Sequence, residues 1–308
     1  MLSEQLLTAL IFGGLAAGMP LVLAGLGELV SQRAGVLNIG VEGMMIMGAY
    51  GGFVATLATG SAGMGFLAGG LMGAAVSLIM VVLCVRMGLD QIVVGIAITL
   101  GAEGLTSLLH AVQFSDTYPR IGRTIVLSIP WLSDLPVVGR ALFGHHPIVY
   151  LTLLAAIFGT WALQRTRTGL AIRAVGERPE AVDAAGVSVV STRTLAAMTA
   201  GVGGGLGGAF LAIVNAGNFI PFMTGGRGFI AIVLAMLARG RPLWVVVGAF
   251  LYGLSVSLAT ALQLVGVPIR TEVVFSIPFA LVLIMLVLFG RNAYLPSALA
   301  LPYHRGER

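Results

Sequence analysis

Nine apolar segments, most of them close to 20 residues long, run along this 308-residue chain. A helix needs about 20 apolar residues to cross the hydrocarbon core of a bilayer. Only 9% of the residues are charged and 58% are hydrophobic, which lies outside the soluble globular range. The sequence therefore predicts an all-α fold, a polytopic transmembrane helical bundle of about 8–10 membrane helices. The segments lie near 6–26, 36–58, 63–85, 92–112, 148–163, 195–214, 219–237, 243–265 and 273–289.

Short loops separate most of these segments, so we expect a single integral membrane domain over residues 1–308. Two connections are longer. The segment 113–147 is rich in proline, and we expect it to be an external loop. The segment 164–193 concentrates charge, and we place it in the cytoplasm because arginine-rich loops stay inside. All but five of the 17 basic residues then fall inside, which predicts an external N-terminus and a cytoplasmic C-terminus.

One apolar segment carries residues that interrupt a membrane helix. Asn218, Pro221, Gly225, Gly226 and Arg227 fall within 215–237. Backbone groups that leave a helix at membrane depth need partners inside the protein or in a water-filled cavity. The sequence therefore predicts at least one broken or re-entrant helix, of the kind that lines a substrate path.

Two acidic residues lie inside apolar segments. An ionised carboxylate facing lipid would cost at least a few kcal/mol, so Glu42 and Glu103 should face protein or water. Asn38 lies four residues before Glu42, which would place both on one helical face. Two interpretations remain open, namely contact with a substrate, or pairing with arginine or with backbone groups near glycines.

Motifs for other chemistry are weak. Gly203, Gly205 and Gly208 match GxGxxG, but no strand precedes them, and close helix packing is the better interpretation. His145 and His146 are adjacent without further ligands at metal spacing, so we expect no metal site. No nucleophile and base constellation is visible, so we expect no catalytic residues and no enzyme activity. The basic excess is attributed to membrane topology and not to nucleic acid.

The cytoplasmic segment 164–193 has the pattern of two short surface helices. One is predicted over 168–175 with a break at Gly176, and the second begins with Pro179 at its first position and ends near Gly186. Small apolar residues of the second helix would suit docking into a groove of a partner protein. A plain connecting loop is the alternative.

Three stretches resemble the permease subunits of ATP-binding-cassette importers of the branched-chain amino acid and simple sugar class. The stretch TGLAIRAVGERPEAVDAAGVSV is similar to that family's coupling segment, and QRAGVLNIGVEGMMIMGAY is similar to its nucleoside and simple sugar branch. The third stretch, GRGFIAIVLAMLARGRPLWVVVGAF, resembles its later helix pair. One departure is the step Ala238 to Pro242, where relatives commonly have two consecutive glycines before the proline.

The resemblance implies a multi-pass protein of the bacterial cytoplasmic membrane that forms the path for a nucleoside or simple sugar. It implies three partners, which are a second, different permease subunit, a cytoplasmic ABC ATPase and an external substrate-binding protein. The chain has no GxxxxGK[ST] phosphate loop, so it would bind no cofactor, and the ATPase would use ATP and magnesium. The expected coupling residues are Arg173, Gly176, Glu177, Pro179, Ala181, Ala185 and Gly186.

Polarity at membrane depth and the helix break select the expected pathway residues. These are Asn38, Glu42, Glu103, Asn215, Asn218, Phe219 and Phe222. A branched-chain amino acid is the alternative cargo within the family. An ion-coupled secondary transporter, with Glu42 and Glu103 as ion sites, is the alternative from a different class. A passive channel has less support, because one chain shows no ring of polar residues.

Overall fold

The computed structural model describes residues 2–115, 119–122, 124–128, 138–264, 271–290 and 295–303. Its helices are α1 Leu2–Arg33, α2 Val41–Thr59, α3 Ala62–Met80, α4 Gln91–Phe114, α5 Val138–Phe143, α6 Pro147–Arg165, α7 Arg167–Glu177, α8 Pro179–Ala184, α9 Val189–Phe210, α10 Arg227–Leu237, α11 Pro242–Leu264 and α12 Thr271–Phe289. Two π-helical turns, Val81–Arg86 and Leu211–Ala216, continue α3 and α9. The strands β1 (Leu127–Ser128) and β2 (Gly144–His145) form one short antiparallel pair.

Within the described residues, seven helices are long and apolar enough to cross a membrane. They are α1, α2, α3, α4, α6, α9 and α11, with α3 and α9 counted together with their π-helical turns. The shorter apolar helices Arg227–Leu237 and Ser276–Phe289 lie in two further predicted segments. The prediction of a polytopic helical bundle is therefore confirmed.

Glycines bring the central helices together. Gly205 of α9 packs against the backbone of Gly69 in α3 and of Gly48 in α2. On another face of α9, Gly203 lies against the Leu23 carbonyl of α1. A Cβ atom at any of these glycines would collide with backbone, so α9 needs them to contact three helices at once. This confirms close packing as the role of the glycine motif.

The chain between α1 and α2 folds back beside α1 before α2 begins. The backbone N–H of Asn38 donates to Glu28 Oε1 at 3.2 Å, five residues before the end of α1. The N–H of Leu37 donates to Gln91 Oε1 of α4 at 2.8 Å. Because α2 begins only at Val41, the expectation that Asn38 and Glu42 share a helical face is wrong.

The expected external loop lies between the end of α4 and the start of α6. Its described part is tied to the bundle where the Ile121 N–H donates to the Gly217 carbonyl at 2.8 Å. Pro130 and Pro136, on which the prediction partly rests, lie outside the described residues.

Candidate translocation site and coupling face

The break in the membrane helix lies between α9 and α10. After the π-helical turn, Gly217 adopts a positive φ of 67°, and the chain makes turns until α10 begins at Arg227. Phe222 also has a positive φ, 62°, a conformation that is uncommon for a bulky residue. The prediction of a broken helix is therefore confirmed. Such breaks place free backbone groups and polar side chains inside a bundle.

Glu42 satisfies the first backbone groups of α10. Its Oε1 accepts a hydrogen bond from the Gly226 N–H at 2.8 Å, and its Oε2 accepts one from the Gly228 N–H at 2.5 Å. The side chain is only 1% exposed. A carboxylate at a helix N-terminus is stabilised by the free N–H groups and by the helix dipole. A Cβ at position 228 would lie 2.6 Å from Glu42 Cα, so glycine is needed for this approach.

Asn38 belongs to a second buried polar cluster, which joins α1 to α10. Gln32 Nε2 donates to Glu28 Oε1 at 3.0 Å and to the Ile232 carbonyl at 3.2 Å. Glu28 is fully buried, and within the described residues its Oε2 has no hydrogen-bond partner. The same holds for Asn38 Oδ1. The cluster links the fold-back before α2 to the backbone of α10.

Phe219 lies in an aromatic patch at the break. Its ring centroid is 5.2 Å from that of Tyr50, 5.4 Å from that of His110 and 6.3 Å from that of Phe53. The Tyr50 hydroxyl donates to Gln113 Oε1 at 2.7 Å. This patch joins α2 and α4 to the non-helical segment, with His110 half-buried and Gln113 exposed. Aromatic faces next to amide and imidazole groups can cover a sugar or stack on a base.

Asn215 lies elsewhere, in a cavity of about 480 Å³ between α1, α6, α9 and α11. Its Nδ2 donates to the Ala16 carbonyl at 3.2 Å, and Arg227 also lines the cavity. His145 stacks on Phe12 with ring centroids 4.3 Å apart. Burial lowers the pKa of His145, although a hydrogen bond with the Ala141 carbonyl opposes this, and burial also lowers the pKa of His146. Burial therefore favours the neutral form of both rings.

The expected pathway residues do not form one cluster. Asn38 and Glu42 make buried contacts with the protein itself, Asn215 lines the cavity, and Phe219 lies in the aromatic patch. Asn218 and Glu103 are partly buried and Phe222 is 57% exposed. Their part in transport stays a prediction.

Sequence reasoning missed Tyr50 and His110, and it did not predict that Glu28 is fully buried. His110 follows Glu103 by seven residues, so it lies on the same face of α4, and this spacing was a usable signal. Among the described residues, no group of three His, Cys, Asp or Glu side chains could hold a metal ion.

Two helices, α7 and α8, carry the residues predicted to contact an ATPase, and their outer surface is called the coupling face here. Pro179 occupies the first turn of α8, and Gly186 closes it with a φ of 83°, both as predicted. The predicted break at Gly176 is wrong, because α7 continues to Glu177 and the non-helical residue is Arg178. Gly176 is needed elsewhere, since it packs on the Arg33 carbonyl at the end of α1.

The exposed surface of the coupling face combines a small-residue patch with charged neighbours, among them Arg178 and Glu180. Ala181, Ala184, Ala185 and Gly186 are exposed, and Val187 is 40% exposed. Beneath them, Val175, Val182 and Val189 form a buried cluster with Tyr303 packed against it. Arg173 and Glu177 are half-buried at the side. This arrangement offers a shallow apolar patch on a firmly packed base.

The C-terminal segment 295–303 connects the coupling face to the bundle through hydrogen bonds. The Ala298 N–H donates to the Gly176 carbonyl at 2.9 Å, and the Ala300 N–H donates to the Gly35 carbonyl at 3.1 Å. Arg193, almost fully buried at the start of α9, donates to the Leu301 carbonyl at 2.8 Å and to the Ala298 carbonyl at 3.4 Å. Movement of α7 would therefore be transmitted to the ends of α1 and α9.

A polytopic bundle with a broken helix and a packed helical face at one end is the architecture of a membrane transporter. The comparison with protein families agrees with this class. Residues 10–290 match the model of the family described as branched-chain amino acid transport system / permease component, and the chain belongs to this family.

Several curated proteins are similar over most of the chain. TsgC13 of Haloferax volcanii, a permease that its name assigns provisionally to a glucose ABC transporter, is 43% identical over 77% of this chain and 73% of its own. The nucleoside ABC transporter permease protein NupC of Lactococcus lactis is 32% identical over 94% of both chains. The guanosine ABC transporter permease protein NupQ of Bacillus subtilis is 32% identical over 99% of both.

A second guanosine permease protein of Bacillus subtilis, NupP, is 26% identical over 89% of this chain and 79% of its own. The chain is thus similar to two permeases of one organism, and more similar to one of them. No solved structure matches the chain.

Proposed function

We propose that this chain is one permease subunit of an ATP-binding-cassette importer and forms part of the path for a nucleoside or a simple sugar. The observation that carries the proposal is similarity over nearly the whole chain to permeases named for nucleosides and for glucose. The coupling face supports it, because an exposed patch on a rigid base suits contact with an ATPase. The chain itself would bind no cofactor, and the ATPase would use ATP and magnesium.

In this proposal, closure of the ATPases displaces α8, and packed contacts carry the displacement into the bundle. Gly176 would push on the Arg33 carbonyl, and Gln32 is bonded to the Ile232 carbonyl of α10. Glu42 then ties the start of α10 to α2. Tight packing transmits such shifts as movements of whole helices. The break between α9 and α10 would open or close as a result.

The substrate would pass the exposed side of the aromatic patch. Phe222, Asn218 and Glu103, which are all at least partly exposed, would supply an aromatic face, an amide and a carboxylate to the hydroxyl groups and ring of a sugar or nucleoside. Asn38 and Glu42 are less suited to this role, since their described contacts are internal. Branched-chain amino acids remain the alternative cargo, because the family description names them.

The similarity to both NupQ and NupP supports pairing with a second, different permease. An external substrate-binding protein would deliver the cargo, and the assembly would sit in the bacterial cytoplasmic membrane. An ion-coupled transporter working alone has less support, because it gives the coupling face no role.

Co-purification tests the proposal. An affinity-tagged chain, expressed with its neighbouring transport genes, should retain an ABC ATPase that mass spectrometry identifies. Ala181→Arg and Ala185→Arg should lose the ATPase, because a long charged side chain would stand on the exposed patch. Ala58→Arg is the matched control, because Ala58 is exposed near the C-terminal end of α2, away from the coupling face. This variant should retain the ATPase. Loss of the ATPase in all variants, or in none, would contradict the assigned face.

A further inference from the structure

A groove runs along the outer surface of α10, α11 and α12 at the end of the bundle that carries the coupling face. Its volume is about 460 Å³. The walls are apolar and include Leu237, Leu251 and Phe289, of which Leu251 is 40% and Phe289 59% exposed. The groove begins at the turn between α10 and α11.

That turn places two arginines at the mouth of the groove. Arg239 and Gly240 have positive φ values of 54° and 74°, and the Arg241 N–H donates to the Ala238 carbonyl at 2.9 Å. This tight reversal sets Arg239 and Arg241 on either side of Gly240, and both line the groove with exposed side chains. In the part of the chain that the structure describes, no carboxylate pairs with either guanidinium, and no acidic residue lines the groove.

Trp244 marks the level of the groove mouth in the membrane. It lies in the first turn of α11, lines the groove and is 57% exposed. Tryptophan is enriched where the hydrocarbon core meets the headgroups, and the arginine-rich end of a bundle faces the cytoplasm. The two guanidinium groups therefore lie at the depth of lipid headgroups. The apolar part of the groove leads from them toward the bilayer core.

We propose that this groove binds an anionic phospholipid of the cytoplasmic leaflet. The phosphate would lie between Arg239 and Arg241, since guanidinium groups bind phosphate with paired hydrogen bonds. One acyl chain would lie along Leu237, Leu251 and Phe289. Basic pockets between membrane helices on the cytoplasmic side favour anionic headgroups. A helix of a second permease is a poorer occupant, because it would have to supply carboxylates to both arginines. The site does not depend on which compound is transported.

Quenching of Trp244 fluorescence tests this site. The chain contains three tryptophans, so Trp131→Phe and Trp161→Phe leave Trp244 as the reporter. The full-length protein is reconstituted in phosphatidylcholine vesicles that contain either brominated phosphatidylglycerol or brominated phosphatidylcholine. We expect half-maximal quenching at a much lower fraction of the anionic lipid. Arg239→Gln with Arg241→Gln should reduce the preference for the anionic lipid about 25-fold, since each of the two charges near an anionic surface contributes about fivefold.

Arg165→Gln with Arg167→Gln, two exposed arginines at the same end of the bundle, is the matched control and should leave quenching unchanged. Equal quenching by both lipids, or no effect of the groove variants, would overturn the proposal. So would protection of Trp244 from both lipids in the assembled transporter, which would assign the groove to a protein partner. Inorganic phosphate should not compete, because it lacks the acyl chain.

Discussion

Replacing Glu42 tests whether this buried carboxylate holds the broken helix together or contacts the substrate. It accepts two backbone hydrogen bonds at the start of α10 from a fully enclosed position. Hydrogen bonds to charged groups contribute about 1.5–3 kcal/mol each, so Glu42→Ala should lower the free energy of unfolding by about 3–6 kcal/mol. Glu42→Gln keeps an acceptor for only one N–H and should lose roughly half of this.

The assay is thermal unfolding of the purified protein in detergent, together with uptake of the substrate. We expect Glu42→Ala to lower the melting temperature by on the order of 10 °C. Glu103→Gln is the matched control, because Glu103 is partly exposed and its carboxylate accepts no hydrogen bond within the described residues. Its melting temperature should not change. A Glu42→Ala protein that melts like the wild type but has lost uptake would refute the capping role and favour substrate contact.

Three further predictions concern other parts of the fold. Arg193→Ala removes two hydrogen bonds to the C-terminal segment, so uptake per ATP hydrolysed should fall while the ATPase still co-purifies. Arg193→Lys keeps a donor and should restore part of the lost uptake. Gly205→Ala places a methyl group against the Gly69 backbone and should lower the free energy of unfolding by about 1–3 kcal/mol. Gly101→Ala, which has open space around it, should leave the free energy of unfolding unchanged. Burial lowers the pKa of His145 below its ordinary 6.5, so the unfolded chain binds more protons and stability should fall as pH drops below about 6.5. His145→Phe keeps the stack on Phe12 and should flatten that pH dependence of the melting temperature.

Much of the architecture could be predicted from the sequence because the signals are local. Apolar length predicts the membrane helices, and Pro221 with Gly225 and Gly226 predicts the break before α10. Pro179 and Gly186 likewise mark the two ends of α8. These residues act through their own backbone preferences, so no knowledge of neighbouring helices is required.

The sites could not be predicted as well, because their contacts join distant parts of the chain. Glu42 is 184 residues from Gly226 in sequence, and Gln32 is 200 residues from the carbonyl it contacts. The sequence predicts that a buried acid needs a partner, but it does not identify the partner. Gly176 shows the same limit, because its close approach to the end of α1 outweighs its tendency to break a helix.

ATP-dependent uptake is the most direct measurement of the proposed function. The chain would be reconstituted in vesicles with its co-purifying ATPase, second permease and binding protein, and uptake of labelled guanosine, glucose and leucine would be followed. We expect uptake of guanosine or glucose that requires ATP and is lost in Ala181→Arg. Uptake by the chain alone, driven by an ion gradient and indifferent to ATP, would contradict the assignment as an importer subunit.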